Sequence, residues 1–295
     1  MIVVTAPTSS IGRQLLDHLL GEPGGTPGEA VRVIARDPSR LPERVREQAE
    51  VVQGSHSEAA VVDKAFAGAR AVFWLVPADP TAPSVDEAYS GFARAGLRAF
   101  AEQGVERVVG ISSVGRGLTV PAGNITATLA MDDAIARTGV AYRALTMPTF
   151  MDNLLRQTAA IRDRGVISVP MAGDRKVPTV ATRDIAAVAA RLLLDDTWTG
   201  VAEVPVLGPE DLSFEDMARI AGEVLGLPVR FERTPDEAFR ARLLGFGASE
   251  AMADAALEMF RAAELGPDTP RTPGATMPTT FRQWCEEVLA PAVRG

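Results

Sequence analysis

The feature that most narrows the fold is the order of apolar runs in the first half of the chain. Ile2, Val3 and Val4 form one run, 31–35 a second, Val51 and Val52 a third, 71–76 a fourth, 108–111 a fifth and 140–145 a sixth. Stretches with helical spacing separate them, over 11–20, 59–66, 86–103 and 129–137. In the first of these, Ile11, Leu15, Leu16, Leu19 and Leu20 fall on one side. Near-continuous apolar strands that alternate with helices are the pattern of a parallel sheet covered on both faces. Right-handed crossovers then give a doubly wound α/β fold. The pattern weakens after residue 145. Helices are expected over 183–194, 214–225, 237–244, 250–263 and 281–289, with one more strand over 201–207. The loop 21–28 is rich in Gly and Pro, and 266–280, rich in Pro, Gly and Thr, reads as a surface segment.

Composition removes several function classes. The net charge of -8 argues against a general nucleic-acid binder, which needs clustered cations. The lysines are Lys64 and Lys176 alone, so nearly all positive charge is arginine. One cysteine, Cys285, excludes an internal disulfide; with only His18 and His56 beside it, a His/Cys zinc site is not expected, and no metal is. No apolar run is long enough to span a bilayer, and the chain enters its first strand without a basic leader, so a cytoplasmic location is expected.

The first strand runs into Thr5-Ala6-Pro7-Thr8-Ser9-Ser10-Ile11-Gly12-Arg13. A dinucleotide turn normally places three glycines here as G-x-x-G-x-x-G, for a tight turn, close approach to the diphosphate, and helix–strand packing. Ala6, Ser9 and Gly12 hold those positions, so only the packing glycine is kept. Ser9 and Ser10 can cap the helix, and its N-terminus favours an anion. A Cβ at position 9, however, crowds the place of the diphosphate. The second strand ends in Arg36, a residue type that accommodates a 2′-phosphate, so a bound dinucleotide would be NADP rather than NAD.

Further segments carry a family resemblance. The turn resembles T-G-A-T-G-x-x-G-R, and the Arg36-Asp37-Pro38 strand end resembles R-[DN]-P. The run 107–113, the stretch 139–145, Gly173-Asp174 with Thr182-Arg183-Asp184-Ile185-Ala186, and the tail Thr280-Phe281-Arg282-Gln283-Trp284 continue the match over nearly the whole chain. Together they resemble the NmrA-like branch of the short-chain dehydrogenase superfamily. The resemblance implies a Rossmann-type doubly wound parallel sheet with a smaller, mainly helical C-terminal lobe. It divides the chain into a dinucleotide domain of 1–145, to which 179–207 return, and a substrate-side lobe of 146–178 and 208–295. It implies NADP(H) contacts from Thr5, Pro7, Thr8, Ser9, Ser10, Ile11 and Gly12, from Arg36, from Leu75, Val76 and Pro77, and from Ser112 and Ser113. It places Met147, Phe150 and Asn153 along the substrate cleft.

The ordinary acid of short-chain dehydrogenases is absent. Four residues after Tyr89 stands Ala93, and four after Tyr142 stands Thr146, so no Tyr-x-x-x-Lys exists. Relatives carry a His or Lys near 124–129, where this chain has no titratable group. Ser113 and Lys176 are the remaining candidates for a catalytic role, each with a plain structural reading beside it. Asp132 and Asp133 read as a solvated helix surface, His56 as part of an N-capping loop, His18 as a surface residue, and Cys285 as a buried thiol. Met147, Phe150, Phe73 and Trp74 read first as packing.

Three functions stay open. The first is an NADPH-dependent reductase of a quinone, ketone or related small molecule, since positioning and solvent can complete such a reduction. The second is a non-catalytic NADP(H) sensor or regulatory protein. The third is a cofactor-independent biosynthetic enzyme on a degenerate Rossmann fold. The partner expected is a small-molecule substrate, with no nucleic acid, no membrane, and a homodimer as the open assembly.

Overall fold

A computed structural model describes residues 1–21, 29–265, 271 and 274–295. Residues 22–28 of the Gly/Pro loop and 266–270, 272 and 273 of the segment 266–280 fall outside them. In chain order, the first half runs β1 (Ile2–Val4), α1 (Ser10–Leu20), β2 (Val31–Ala35), α2 (Glu43–Gln48), β3 (Glu50–Gln53), α3 (Ala59–Phe66), β4 (Ala71–Trp74), α4 (Phe92–Glu102), β5 (Arg107–Ser113), α5 (Asn124–Arg137) and β6 (Ala141–Met147). There follow β7 (Thr149–Phe150), α6 (Thr158–Arg164), β8 (Val166–Val169), β9 (Val177–Val180), α7 (Thr182–Leu194), β10 (Val201–Pro205), β11 (Asp211–Leu212), α8 (Phe214–Leu225), β12 (Arg230–Arg233), α9 (Asp236–Gly245), α10 (Glu250–Leu265), α11 (Phe281–Trp284) and α12 (Ala290–Arg294).

Seven strands form one sheet in the order β3-β2-β1-β4-β5-β6-β10, every neighbouring pair parallel. The alternation of side chains sorts the apolar strands onto two faces. Ile2, Val4, Val31, Val33 and Phe73 pack against α1 and α7. Val3, Ile34, Val72, Trp74, Val108 and Tyr142 pack against α3, α4 and α5. Covering both faces is what lets these strands be apolar throughout. The chain reverses its direction across the sheet between β1 and β4, and ligands of such folds bind beyond the carboxyl ends of the strands at that switch.

A second core lies around Met151, Ile161, Ile167, Phe214, Met217, Phe281 and Trp284. Three short strands, β7, β9 and β11, form one small sheet there, and β8 pairs with β12. These pairs are too short to carry a sequence period. The strand expected over 201–207 is β10, at the sheet edge.

Helix α5 begins at Asn124, not at Leu129. Asn124, Thr126 and Thr128 weaken the helical signal there. Tertiary packing overrides them: Gly123 turns with φ of 50° and lies so close to α10 that a Cβ would stand 2.0 Å from the Ala255 carbonyl oxygen. Thr128 donates back to the Asn124 carbonyl at 2.8 Å.

Candidate functional site

The turn after β1 is where the sequence departs most from a dinucleotide fingerprint. Thr5 is fully buried and fastens β1 to β4: its hydroxyl donates to the Phe73 carbonyl and accepts from the Leu75 amide, both at 2.9 Å. Ala6 takes φ of 49°, the left-handed conformation that a glycine would adopt without strain. Ser9 is the N-cap of α1, and its side chain folds back into the turn. Its Oγ donates to the Ala6 carbonyl at 2.8 Å and accepts from the Gly12 amide at 3.0 Å. The Cβ at position 9 therefore carries a hydroxyl that closes the turn on its inner side. Ser10 and Ile11 are the first residues of the helix, where amides have no intrahelical acceptor and the dipole favours an anion. Gly12 tolerates no side chain, since a Cβ would lie 2.3 Å from the Ala6 carbonyl oxygen. Pro7 is buried and Thr8 half-buried beside them.

Arg36 stands exposed just past β2. Its charge reaches His56 and Asp79, and it makes no hydrogen bond or ion pair among the described residues. His56 is not a cap. It is buried, edge-on to Trp74 and Phe92 with centroids 5.1 and 4.8 Å away, and its Nε2 lies 2.9 Å from the Leu75 carbonyl. Burial pulls its pKa down to about 4, so the ring is neutral and packs the end of β4. Leu75 and Val76 are half-buried at that end, and Pro77 is exposed.

At the end of β5, Ser113 is half-buried and its hydroxyl has no hydrogen-bond partner among the described residues. Ser112 faces the other way. Its hydroxyl donates to Asp132 Oδ2, and the Tyr142 hydroxyl donates to Oδ1 at 2.6 Å. Asp132 is thus buried under the sheet, while Asp133 is exposed and pairs with Arg116. The expected solvated pair is half wrong: one carboxylate serves a polar network that joins α5 to β5 and β6. The space for the Tyr142 ring comes from Gly110, whose Cβ would sit 2.3 Å from the hydroxyl.

Met147 is buried at the end of β6, and Phe150 packs half-buried against the same core. Asn153 is exposed. Its neighbour Asp152 accepts from the Thr182 hydroxyl at 2.7 Å and amide at 3.1 Å, which ties this turn to the start of α7. Lys176 is exposed before β9, and its charge acts on Asp216 in the first turn of α8. Asp184 is buried and accepts from the Thr279 amide and hydroxyl at 3.2 and 2.9 Å, so this part of the Arg-Asp motif docks the tail. Cys285 is buried and its thiol is pushed up to about 12. His18 is exposed.

No motif singles out Tyr89. It stands in the helical turn Glu87–Gly91 before α4, with the Thr128 side chain of α5 near its hydroxyl. Two surface depressions, one around 161–165 and 227–230 and one beside the start of α5, include no residue of the turn.

The turn, the helix N-terminus and the exposed guanidinium fit the diphosphate and 2′-phosphate of a dinucleotide. A family model described as NAD(P)H-binding matches residues 8–196, more than half of the chain. The chain belongs to the NAD(P)H-binding family. A model of the NmrA-like family matches residues 131–272 of this NAD(P)H-binding protein. It is 33% identical over 245 residues to a (4-alkanoyl-5-oxo-2,5-dihydrofuran-3-yl)methyl phosphate reductase of Streptomyces griseus, spanning 83% of this chain and 80% of that one. It is 28% identical to an NAD(P)H azoreductase of Xenophilus azovorans, over 88% of this chain and 86% of that one. Its fold is that of the triphenylmethane reductase of Citrobacter sp. complexed with NADP(H), at TM-score 0.76 and 20% identity over 100% and 99% of the two chains. The NADPH-dependent quinone oxidoreductase of Escherichia coli shares it at TM-score 0.75 and 20% identity, with the same coverage. No helix among the described residues is long and apolar enough to cross a membrane.

Proposed function

We propose that this protein is an NADPH-dependent reductase of a conjugated, electron-poor small molecule: a quinone, an azo compound or an unsaturated carbonyl compound. The observation that carries the reading is the conformation of Ser9. Its hydroxyl is spent on Ala6 and Gly12, so the side chain that replaces a glycine braces the turn and leaves the first amides of α1 for a diphosphate. Arg36, without a partner among the described residues, supports NADPH over NADH as the dinucleotide. Leu75, Val76, Pro77 and Ser113 would line the path toward the nicotinamide, with Met147, Phe150 and Asn153 on the substrate side. In this reading 1–145 with 179–207 hold the dinucleotide, and 146–178 with 208–295 form the substrate lobe. Relatives named for the reduction of an unsaturated lactone phosphate, an azo compound and a quinone support the substrate class, since all three names describe conjugated acceptors.

The test is NADPH oxidation by the purified protein with a 1,4-quinone, an azo dye and an unsaturated lactone as acceptors. Turnover with at least one acceptor, faster with NADPH than with NADH, is expected. Saturable NADPH binding without turnover of any acceptor would instead assign a sensor.

A further inference from the structure

A reduction of this kind delivers a proton as well as two electrons, and α5 offers no titratable side chain at its start. Asn124 and Thr128 stand four residues apart there, on one helix face. Across from them stands Tyr89. The helical turn before α4 brings it up and packs against α5, which sets the Thr128 side chain near its hydroxyl. This turn and the first turns of α5 both lie at the carboxyl edge of the sheet, the edge on which Ser113 stands and on which such folds bind their ligands. The Tyr89 ring packs with Ala82, Val85 and Ala88 and with Met252 of α10, so it sits where the helical C-terminal region closes on the sheet. One turn before Thr128, Asn124 Oδ1 is buried and has no hydrogen-bond partner among the described residues. Burial raises the Tyr89 pKa, which keeps the phenol protonated at neutral pH.

We propose that Tyr89 is the catalytic proton donor of the reductase, acting from α4's leading turn in place of the missing Tyr-x-x-x-Lys. This rests on the reductase reading above. Bound NADPH would supply the hydride, two electrons with one proton. The Tyr89 Oη–H bond breaks, and a new O–H or N–H bond forms at the substrate oxygen or nitrogen that has gained the charge. Thr128 donates to the Asn124 carbonyl at 2.8 Å. Rotation of that hydroxyl toward Tyr89 gives the phenolate a donor until solvent returns the proton. The buried Asn124 amide is left to meet a polar group of the ligand.

The experiment compares wild type, Tyr89→Phe and Thr128→Val, with NADPH affinity confirming that each variant is folded. With an azo dye or an unsaturated lactone, Tyr89→Phe lowers kcat by about a hundredfold or more. Thr128→Val lowers it less and shifts the basic limb of the pH profile upward. A second readout needs no turnover: 4-nitrophenol, bound to the NADP complex of wild type, shows a shifted absorbance band as its oxygen meets the Tyr89 hydroxyl, and Tyr89→Phe abolishes the shift. An unchanged kcat together with an unchanged band overturns the proposal. If wild type oxidises NADPH with no acceptor, the reductase reading fails. The nitrophenol band then still decides whether Tyr89 faces the ligand oxygen.

Discussion

At position 9 a residue that the sequence marks as an obstruction becomes part of the turn. The serine makes two hydrogen bonds that replace what a glycine's flexibility would otherwise provide, and Ala6 accepts left-handed strain of about 1 kcal/mol to keep the same path. Position 12 has no such remedy, because the obstacle is the Ala6 carbonyl itself. Gly12→Ala is expected to lower stability by about 2 kcal/mol and to abolish saturable NADPH binding, measured by denaturant unfolding and nicotinamide fluorescence. In the proposed reading, Arg36→Ala removes only a charged contact to the 2′-phosphate. It should weaken NADPH by roughly tenfold to a hundredfold and leave NADH unchanged. Residue identity made the packing role of Gly12 legible from sequence. The direction of the Ser9 side chain was not, because it depends on a rotamer set by two backbone groups that only the folded turn brings together.

The elements of the central sheet were legible because their apolar runs have to be buried on both faces. Helix α5 was harder. Its buried stripe carries Thr128 and Asp132, so polarity misplaces the inward face and hides the first turn. The Asp132 network gives that face a pH signature. Burial pushes the carboxyl up to about 6, the Ser112 and Tyr142 hydrogen bonds and Arg116 opposing and Glu203 adding to the rise. A carboxyl raised in the folded state holds its proton where the unfolded chain has released it. Its contribution is thus complete below the ordinary Asp range near 3.9 and disappears as pH rises through 6. Against Asp132→Asn, which does not titrate, wild-type stability should fall by about 3 kcal/mol between roughly pH 4 and 7. Parallel unfolding curves for the two proteins over that range would refute the assignment.

Across the whole molecule, the C-terminal segments are fastened to the sheet domain at separate places. Ser249 donates its amide to the Pro80 carbonyl at 2.9 Å and its hydroxyl to the Ala82 carbonyl at 2.6 Å, which holds the loop after β4 to the start of α10. Asp184 anchors Thr279, and Arg183 pairs with Glu287. Asp184→Ala leaves the Thr279 donors without acceptors and should cost about 2 kcal/mol, with faster proteolysis ahead of α11. None of these contacts between distant segments has a local sequence pattern, which is why the Asp184 motif reads as a family mark before it reads as a clamp. The account as a whole depends on the turn after β1 still accepting a dinucleotide. Titrating the protein into NADPH and following nicotinamide fluorescence tests this most directly. Saturation at micromolar protein, with NADH at least about tenfold weaker, is the expected result. No saturable change with NADPH at millimolar protein would contradict it.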